Sequence, residues 1–194
     1  MKLTGVNHIA LATRDMEKTI HFWRDLLGLR LIAGLGRPGY RQYFFELGSM
    51  NMLLFFEWPE VGQIPEKDHG VPVQGPFLFD HLALEVEARD DLWKIYDRLD
   101  ASGFWVSEVM DHGFILSLYS FDPNNMPIEF SWSNPEINLR KNPAMLDSSP
   151  AEAAKDGPDP VSGTWPRVAR PTRDEDKLVY PGEGSEFRSR KNKW

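Results

Sequence analysis

The sequence predicts an α+β fold of two paired β-α-β-β-β modules, followed by an irregular C-terminal tail. Three observations carry this expectation. A short strand-like run occurs twice, as Asn7-His8-Ile9-Ala10-Leu11 and as Asp80-His81-Leu82-Ala83-Leu84. Each copy leads into a helix-period stripe and then into three strand-like segments. From Asn134 onward hydrophobic periodicity disappears, and Pro, Gly, Asp and Ser crowd the chain. The first module is expected over 4–58, a Gly- and Pro-rich linker containing His69 over 59–77, the second module over 78–133 and the tail over 134–194.

The elements follow in order. In Val6–Thr13, Ile9 and Leu11 share one face while His8 and Ala10 share the other. Asp15 is a suitable N-cap for a helix whose apolar stripe is Met16, Ile20, Trp23 and Leu27, and Gly28 suits its C-terminal end. Strands are expected over Leu29–Leu35, Arg41–Leu47 and Met50–Glu57. In the second module the helix begins near Asp90, buries Leu92, Ile95, Tyr96 and Leu99, and ends at Gly103. Its strands are expected over Phe104–Met110, Gly113–Ser120 and Met126–Trp132. The last strands of the two modules echo each other, Asn51-Met52 with Trp58 matching Asn125-Met126 with Trp132. That pairing makes Phe55 the counterpart of Glu129, and Glu57 the counterpart of Ser131. The tail reads either as a loosely attached segment or as an arm anchored by Trp165, Val168, Leu178, Val179, Tyr180, Phe187 and Trp194.

Composition narrows the function. The 194 residues suffice for one good core or two small ones sharing an interface. A formal charge of −7 argues against nucleic acid as the main partner. The absence of cysteine removes disulfides, thiolate metal sites and cysteine nucleophiles. The N-terminal residues lack the apolar run of a signal peptide, and the longest apolar run, Met52 to Phe56, is too short to span a bilayer. A soluble cytoplasmic protein with no membrane partner is the expectation.

Chemistry concentrates at three positions. His8 and His81 occupy equivalent places in the repeated strand, and Glu129 lies in Met126-Pro127-Ile128-Glu129-Phe130 at the end of the second module. Two imidazoles and one carboxylate suit a divalent cation that keeps open positions for substrate. Each ligand face carries a small neighbour, Ala10 or Ala83, which leaves room beside the donor. Singly, a strand histidine is more often structural and a glutamate more often solvated. It is the recurrence of the histidine that favours the metal reading.

On these residues the chain resembles the vicinal oxygen chelate superfamily, which includes glyoxalase I, fosfomycin-resistance transferases, methylmalonyl-CoA epimerase, bleomycin-binding proteins and type I extradiol dioxygenases. The resemblance spans about residues 4 to 133 and includes Asp122-Pro123-Asn124-Asn125 ahead of Glu129. It implies a curved, open-barrel sheet, a metal held by His8, His81 and Glu129, and a homodimer, with the ligands supplied by one chain or by two. Asn125 stands where the family usually has glycine, and asparagine tolerates the same left-handed turn. A fourth ligand, as in glyoxalase I, would fall at Phe55, with Glu57 one pleat away.

The run from His112 through Leu118-Tyr119 and Asp122-Pro123 to Glu129 resembles the extradiol ring-cleavage pattern, with Met110 and Asn125 as departures. It implies an Fe(II)- or Mn(II)-dependent dioxygenase acting on a catechol-like diol, with Tyr119 and His112 beside the metal as catalytic residues. The acid–base histidine usual in the preceding module has no counterpart in Met50–Glu57, and His69 is the nearest candidate. His112 also reads as a solvated hairpin residue, and Tyr119 as sheet packing. Phe44, Phe55, Phe114 and Trp132 suit either a pocket wall or a core. Two other functions fit the same donors. One is a redox-neutral glyoxalase, epimerase or transferase handling a vicinal oxygen pair, for which Zn, Ni or Co would serve. The other is a resistance protein that binds its ligand without turnover.

Overall fold

A computed structural model describes residues 6–37, 40–49, 51–63, 65, 70, 80–139, 141–144, 146, 152–161, 163, 167–182 and 185–188. The chain divides into two compact units, Met1–Asn138 and Leu139–Trp194. The first unit contains β1 (His8–Thr13), α1 (Met16–Ile20), β2 (Leu31–Arg37), β3 (Tyr40–Glu46) and β4 (Met52–Glu57). It continues with β5 (Leu82–Glu85), α2 (Asp91–Ala101), β6 (Met110–Asp111), β7 (Ile115–Phe121) and β8 (Pro127–Ser133).

Two mixed four-stranded sheets result, ordered β1-β4-β3-β2 and β5-β8-β7-β6, open rather than closed into a barrel. In each, the first strand lies parallel to the last and occupies one edge. The duplicated pattern of the sequence is thus a duplicated topology.

Local chemistry explains the helices. The Asp15 carboxylate accepts the Lys18 N–H and caps α1. After Ile20 the helix widens into a π-helical turn over His21–Leu26, where Leu27 N–H donates to the Phe22 carbonyl and Leu29 N–H to that of Trp23. Both neighbouring aromatics, Phe22 and Trp23, are buried there. Gly28 and Gly103 follow the two helices with φ of 82° and 76°.

One hydrophobic core joins the two modules. Met16 and Trp23 from the first helix, Leu92 and Leu99 from α2, and Leu118 and Ile128 from the second sheet are all fully buried. Each such side chain contributes about 1.5–3 kcal/mol. A polar link accompanies them: buried Thr13 donates its hydroxyl to Asn124 Oδ1 at 2.8 Å and accepts one from Thr19 at 2.9 Å.

One expected strand is shortened. The strand predicted over Phe104–Met110 is reduced to the pair Met110–Asp111 and one bridge, Val106 to Ser120. Side chains take over the ladder there. Ser107 Oγ accepts the Tyr119 N–H at 2.9 Å, and Ser120 Oγ donates to the Trp105 carbonyl at 2.8 Å. In the second unit, short 3-10 turns at Glu152–Asp156, Asp174–Asp176 and Ser185–Arg188 are the regular structure among the described residues. The expected anchors Val168, Leu178, Val179, Tyr180 and Phe187 are exposed there, while Trp165 and Trp194 lie outside the described residues. Arg173 in this segment pairs with Glu175 and Asp176. His69 and most of 59–77 also lie outside the described residues.

Candidate metal centre

Strand pairing decides which side chains share a face. In the first sheet Ala10 lies opposite Leu54, and Leu54 opposite Phe44. In the second, Ala83 lies opposite Glu129, and Glu129 opposite Tyr119. Matching Ala10 to Ala83 makes Leu54 the counterpart of Glu129, and Phe44 that of Tyr119. The assignment of Phe55 to that role is therefore corrected. The Asn-Met and Trp echo in the sequence is offset by one residue from the ladders, and a one-residue slip exchanges the two faces of a strand. Phe55 is 1% exposed and packs edge-on against Phe45 in the core.

Glu57 shares the face of Phe55 and points away from the ligand face. Its Oε1 accepts the Met16 N–H at 2.9 Å, and its Oε2 pairs with Arg41 at 3.2 Å. A carboxylate at the first turn of α1 satisfies a free N–H and complements the helix dipole. Glu57 is thus committed to the helix.

The second module assembles most of the expected site. His81 Nε2 lies 2.8 Å from Glu129 Oε2, and the Glu129 side chain is only 5% exposed. The Ser117 hydroxyl donates to Glu129 Oε1. His81 Nδ1 lies 2.7 Å from Asp80 Oδ1, which also accepts the Gly70 N–H at 3.1 Å. Burial, and then the negative charge of Glu129, push the Tyr119 phenol above the usual tyrosine range. Tyr119 Oη lies 3.0 Å from His112 Nε2. His112 does occupy the hairpin turn, with Gly113 at φ 81°, but its ring folds back onto Tyr119. Sequence reading missed Ser117. Its one signal was parity, two residues before Tyr119 on the same strand.

The first module contributes less. His8 is exposed, with Nδ1 2.8 Å from Asn7 Oδ1. Its face carries Ala10, Leu54 and Phe44 and no second donor at the position of Glu129. Among the described residues, no three His, Asp or Glu side chains gather closely enough to hold a metal ion. His81 and Glu129 meet; His8 does not join them within this chain. Of the other aromatics considered, Phe114 is exposed and Trp132 packs at the edge of the core.

The residues present fit a cation. Carboxylates flank both nitrogens of His81. A neutral imidazole has one N–H, and a carboxylate only accepts. With the proton on Nδ1, toward Asp80, the Nε2 lone pair faces an oxygen of Glu129. That contact is favourable only with a proton or a cation beside it. The 2.8 Å separation is near the edge of about 3 Å between neighbouring donors on an octahedral ion with bonds of about 2.1 Å.

A separate cavity of about 380 Å³ lies between the modules, walled by Leu27, Leu29, Leu47, Leu84, Ile95 and Phe130. None of the candidate donors lines it, so the chemistry is assigned to the side-chain constellation instead.

Known proteins share this fold. The model of the Glyoxalase/Bleomycin resistance protein/Dioxygenase superfamily matches residues 5–130. An iron-dependent extradiol dioxygenase of Rhodococcus jostii (strain RHA1) is 29% identical over 139 residues, which cover 69% of this chain and 44% of that protein. This chain therefore spans less than half the length of that dioxygenase. The glutathione transferase FosA of Serratia marcescens is 28% identical, over 66% of this chain and 79% of that protein. A crystal structure of a glyoxylase/bleomycin resistance protein/dioxygenase domain from Frankia sp. EAN1pec superposes with a TM-score of 0.57 at 21% identity, covering 69% of this chain and all of that one. With two equivalent modules and a His–Glu pair on the second, this chain belongs to the Glyoxalase/Bleomycin resistance protein/Dioxygenase superfamily.

Proposed function

We propose that the protein is a metal-dependent vicinal oxygen chelate enzyme of the extradiol ring-cleaving type, acting on a catechol-like diol with Fe(II) or Mn(II). The observation that carries this reading is the pair of contacts His112–Tyr119 and His81–Glu129, with Tyr119 and Glu129 opposite each other across β7 and β8. The ligand set is His81 and Glu129 together with His8 of a second copy, since His8 stands apart from the pair within one chain. A symmetric homodimer of this kind has two equivalent sites.

When bound, the cation would polarise two adjacent substrate oxygens and favour their deprotonation. The chain's own residues set the geometry around that event. Glu129, held through Oε1 by Ser117, offers Oε2 on the ligand face. Tyr119 keeps its proton on Oη under the influence of burial and of Glu129, so it acts as a hydrogen-bond donor toward a substrate oxygen. His112, with its proton on Nε2, donates to the Tyr119 oxygen at 3.0 Å and so leaves the phenol proton directed at the substrate.

A second reading is redox-neutral transferase or isomerase chemistry. It draws on the coverage of FosA, 79% of that protein against 44% of the R. jostii dioxygenase. Glu57 offers no proton shuttle there, being bound to α1 and Arg41. Anaerobic purification with metal analysis and oxygen-uptake assays on catechols tests the choice. Stoichiometric iron or manganese with oxygen consumption is the expected result. Zinc, nickel or cobalt with oxygen-independent turnover would replace the first reading by the second. A metal-free protein that still binds small ligands would point to sequestration.

A further inference from the structure

Protein interiors pack densely, and voids larger than a water molecule are few. The cavity of about 380 Å³ between the modules departs from that rule and has the size of a small-molecule pocket. Its apolar wall comes from both modules, with Leu27, Leu29 and Leu47 on one side and Leu84, Ile95 and Phe130 on the other. It backs onto the strands that carry the candidate metal donors. Leu84 pairs with Phe130 across β5 and β8, while the preceding pair, Ala83 with Glu129, points to the opposite face of the sheet.

Arg30, Glu46, Glu85 and Arg98 also line this cavity. Three of them are already engaged. Arg30 pairs with Glu46 at 2.9 Å, and Glu85 accepts the Ser133 N–H and hydroxyl, both at 3.0 Å. Arg98 forms no salt bridge among the described residues. It lies one turn beyond Ile95 on α2, so its guanidinium extends the wall that Ile95 begins. The nearby Lys94 is taken up by Asp91 at 2.7 Å. Arg98 thus adds an uncompensated, planar, forked donor to an apolar cleft, and a carboxylate is the group that matches such a fork two bonds at a time.

We infer that this cleft is an accessory binding site for a carboxylate with an apolar body, of the kind found in medium-chain fatty acids. The head group pairs with Arg98, which is exposed, and the body displaces water from the leucines between the modules. The site is separate from the metal centre, since none of His8, His81, His112, Tyr119 and Glu129 lines it.

The test titrates sodium octanoate into the full chain by calorimetry, once with EDTA and once with added manganese(II). Equal affinity in the two conditions is expected, with amide shifts at Leu84, Ile95 and Phe130 in the 15N-labelled, EDTA-treated protein. Arg98→Gln should weaken octanoate roughly tenfold and leave the uncharged 1-octanol unaffected. Leu29→Trp fills the cleft from one wall and should abolish binding of both. Arg98 is exposed on α2, so its variant stays informative if Leu29→Trp does not fold. Octanoate binding that requires the metal would place the carboxylate on the cation and overturn the inference. So would octylamine binding more tightly than octanoate, affinity indifferent to Arg98→Gln, or no binding at millimolar octanoate. Each of these results would leave the metal-centre reading standing.

Discussion

Asp122 shows how one residue can govern both turn and site. Its carboxylate accepts the N–H groups of Asn124 and Met126 and the Asn124 side-chain amide, at 2.8–2.9 Å. Those bonds shape the turn that delivers Glu129, with Asn125 in the left-handed region at φ 62°. That turn was legible in the sequence, because asparagine is the residue that best tolerates glycine's conformation there. The protonation of Asp122 was not legible, because it depends on burial. Burial dominates and pushes the Asp122 carboxyl above the usual carboxylate range, against its hydrogen bonds. The buried Trp23 indole nitrogen faces it electrostatically, without a hydrogen bond of standard geometry. A raised folded-state value contributes stability in acid that is lost as pH rises from the ordinary carboxylate value through the folded one. Asp122→Asn removes that dependence. Urea titrations should therefore show its destabilisation largest near pH 3 and smaller near pH 7, with a total of about 1–3 kcal/mol. A penalty that grows with pH would contradict the assignment.

Among the elements, both helices and the three long strands of the first module follow closely from period and capping, since alternation and i, i+3, i+4 spacing are written directly in the residues. The strand before β7 does not. Phe104–Met110 alternates like a strand, yet Ser107 and Ser120 bond to backbone groups and replace most of its ladder. Local side-chain bonds of this kind have no periodic signature. Ser107→Ala should leave the Tyr119 N–H without its acceptor and cost about 1–2 kcal/mol in denaturant melts. It should also loosen β7 at Tyr119, seen as faster amide exchange there than at Leu118. The pairing of Phe55 with Glu129 failed for a related reason, since register is set by the partner strand, which places Leu54 opposite Ala10. The same pairing brings Glu57 to the start of α1, where its Oε1 accepts the Met16 N–H.

At the scale of the whole molecule, the sequence revealed the duplication but not which copies of the modules cooperate. Ladder register shows the duplication to be unequal, with Leu54 standing where the second module has Glu129. On the two-copy reading, His8→Ala and Glu129→Gln variants, each inactive alone, should regain activity when mixed and allowed to exchange subunits. At equal amounts, about a quarter of all sites should be intact by random pairing. Mixtures that stay inactive after proven exchange would place the donors within one chain. The edge positions of β1 and β5 carry one further consequence. On the same two-copy reading, a cation gripped by rim strands of two molecules would be part of their adhesion, linking uptake of the ion to self-association. Chelator should act as dilution does, shifting sedimentation toward monomers, and crowding the chains together should make them scavenge the ion more avidly.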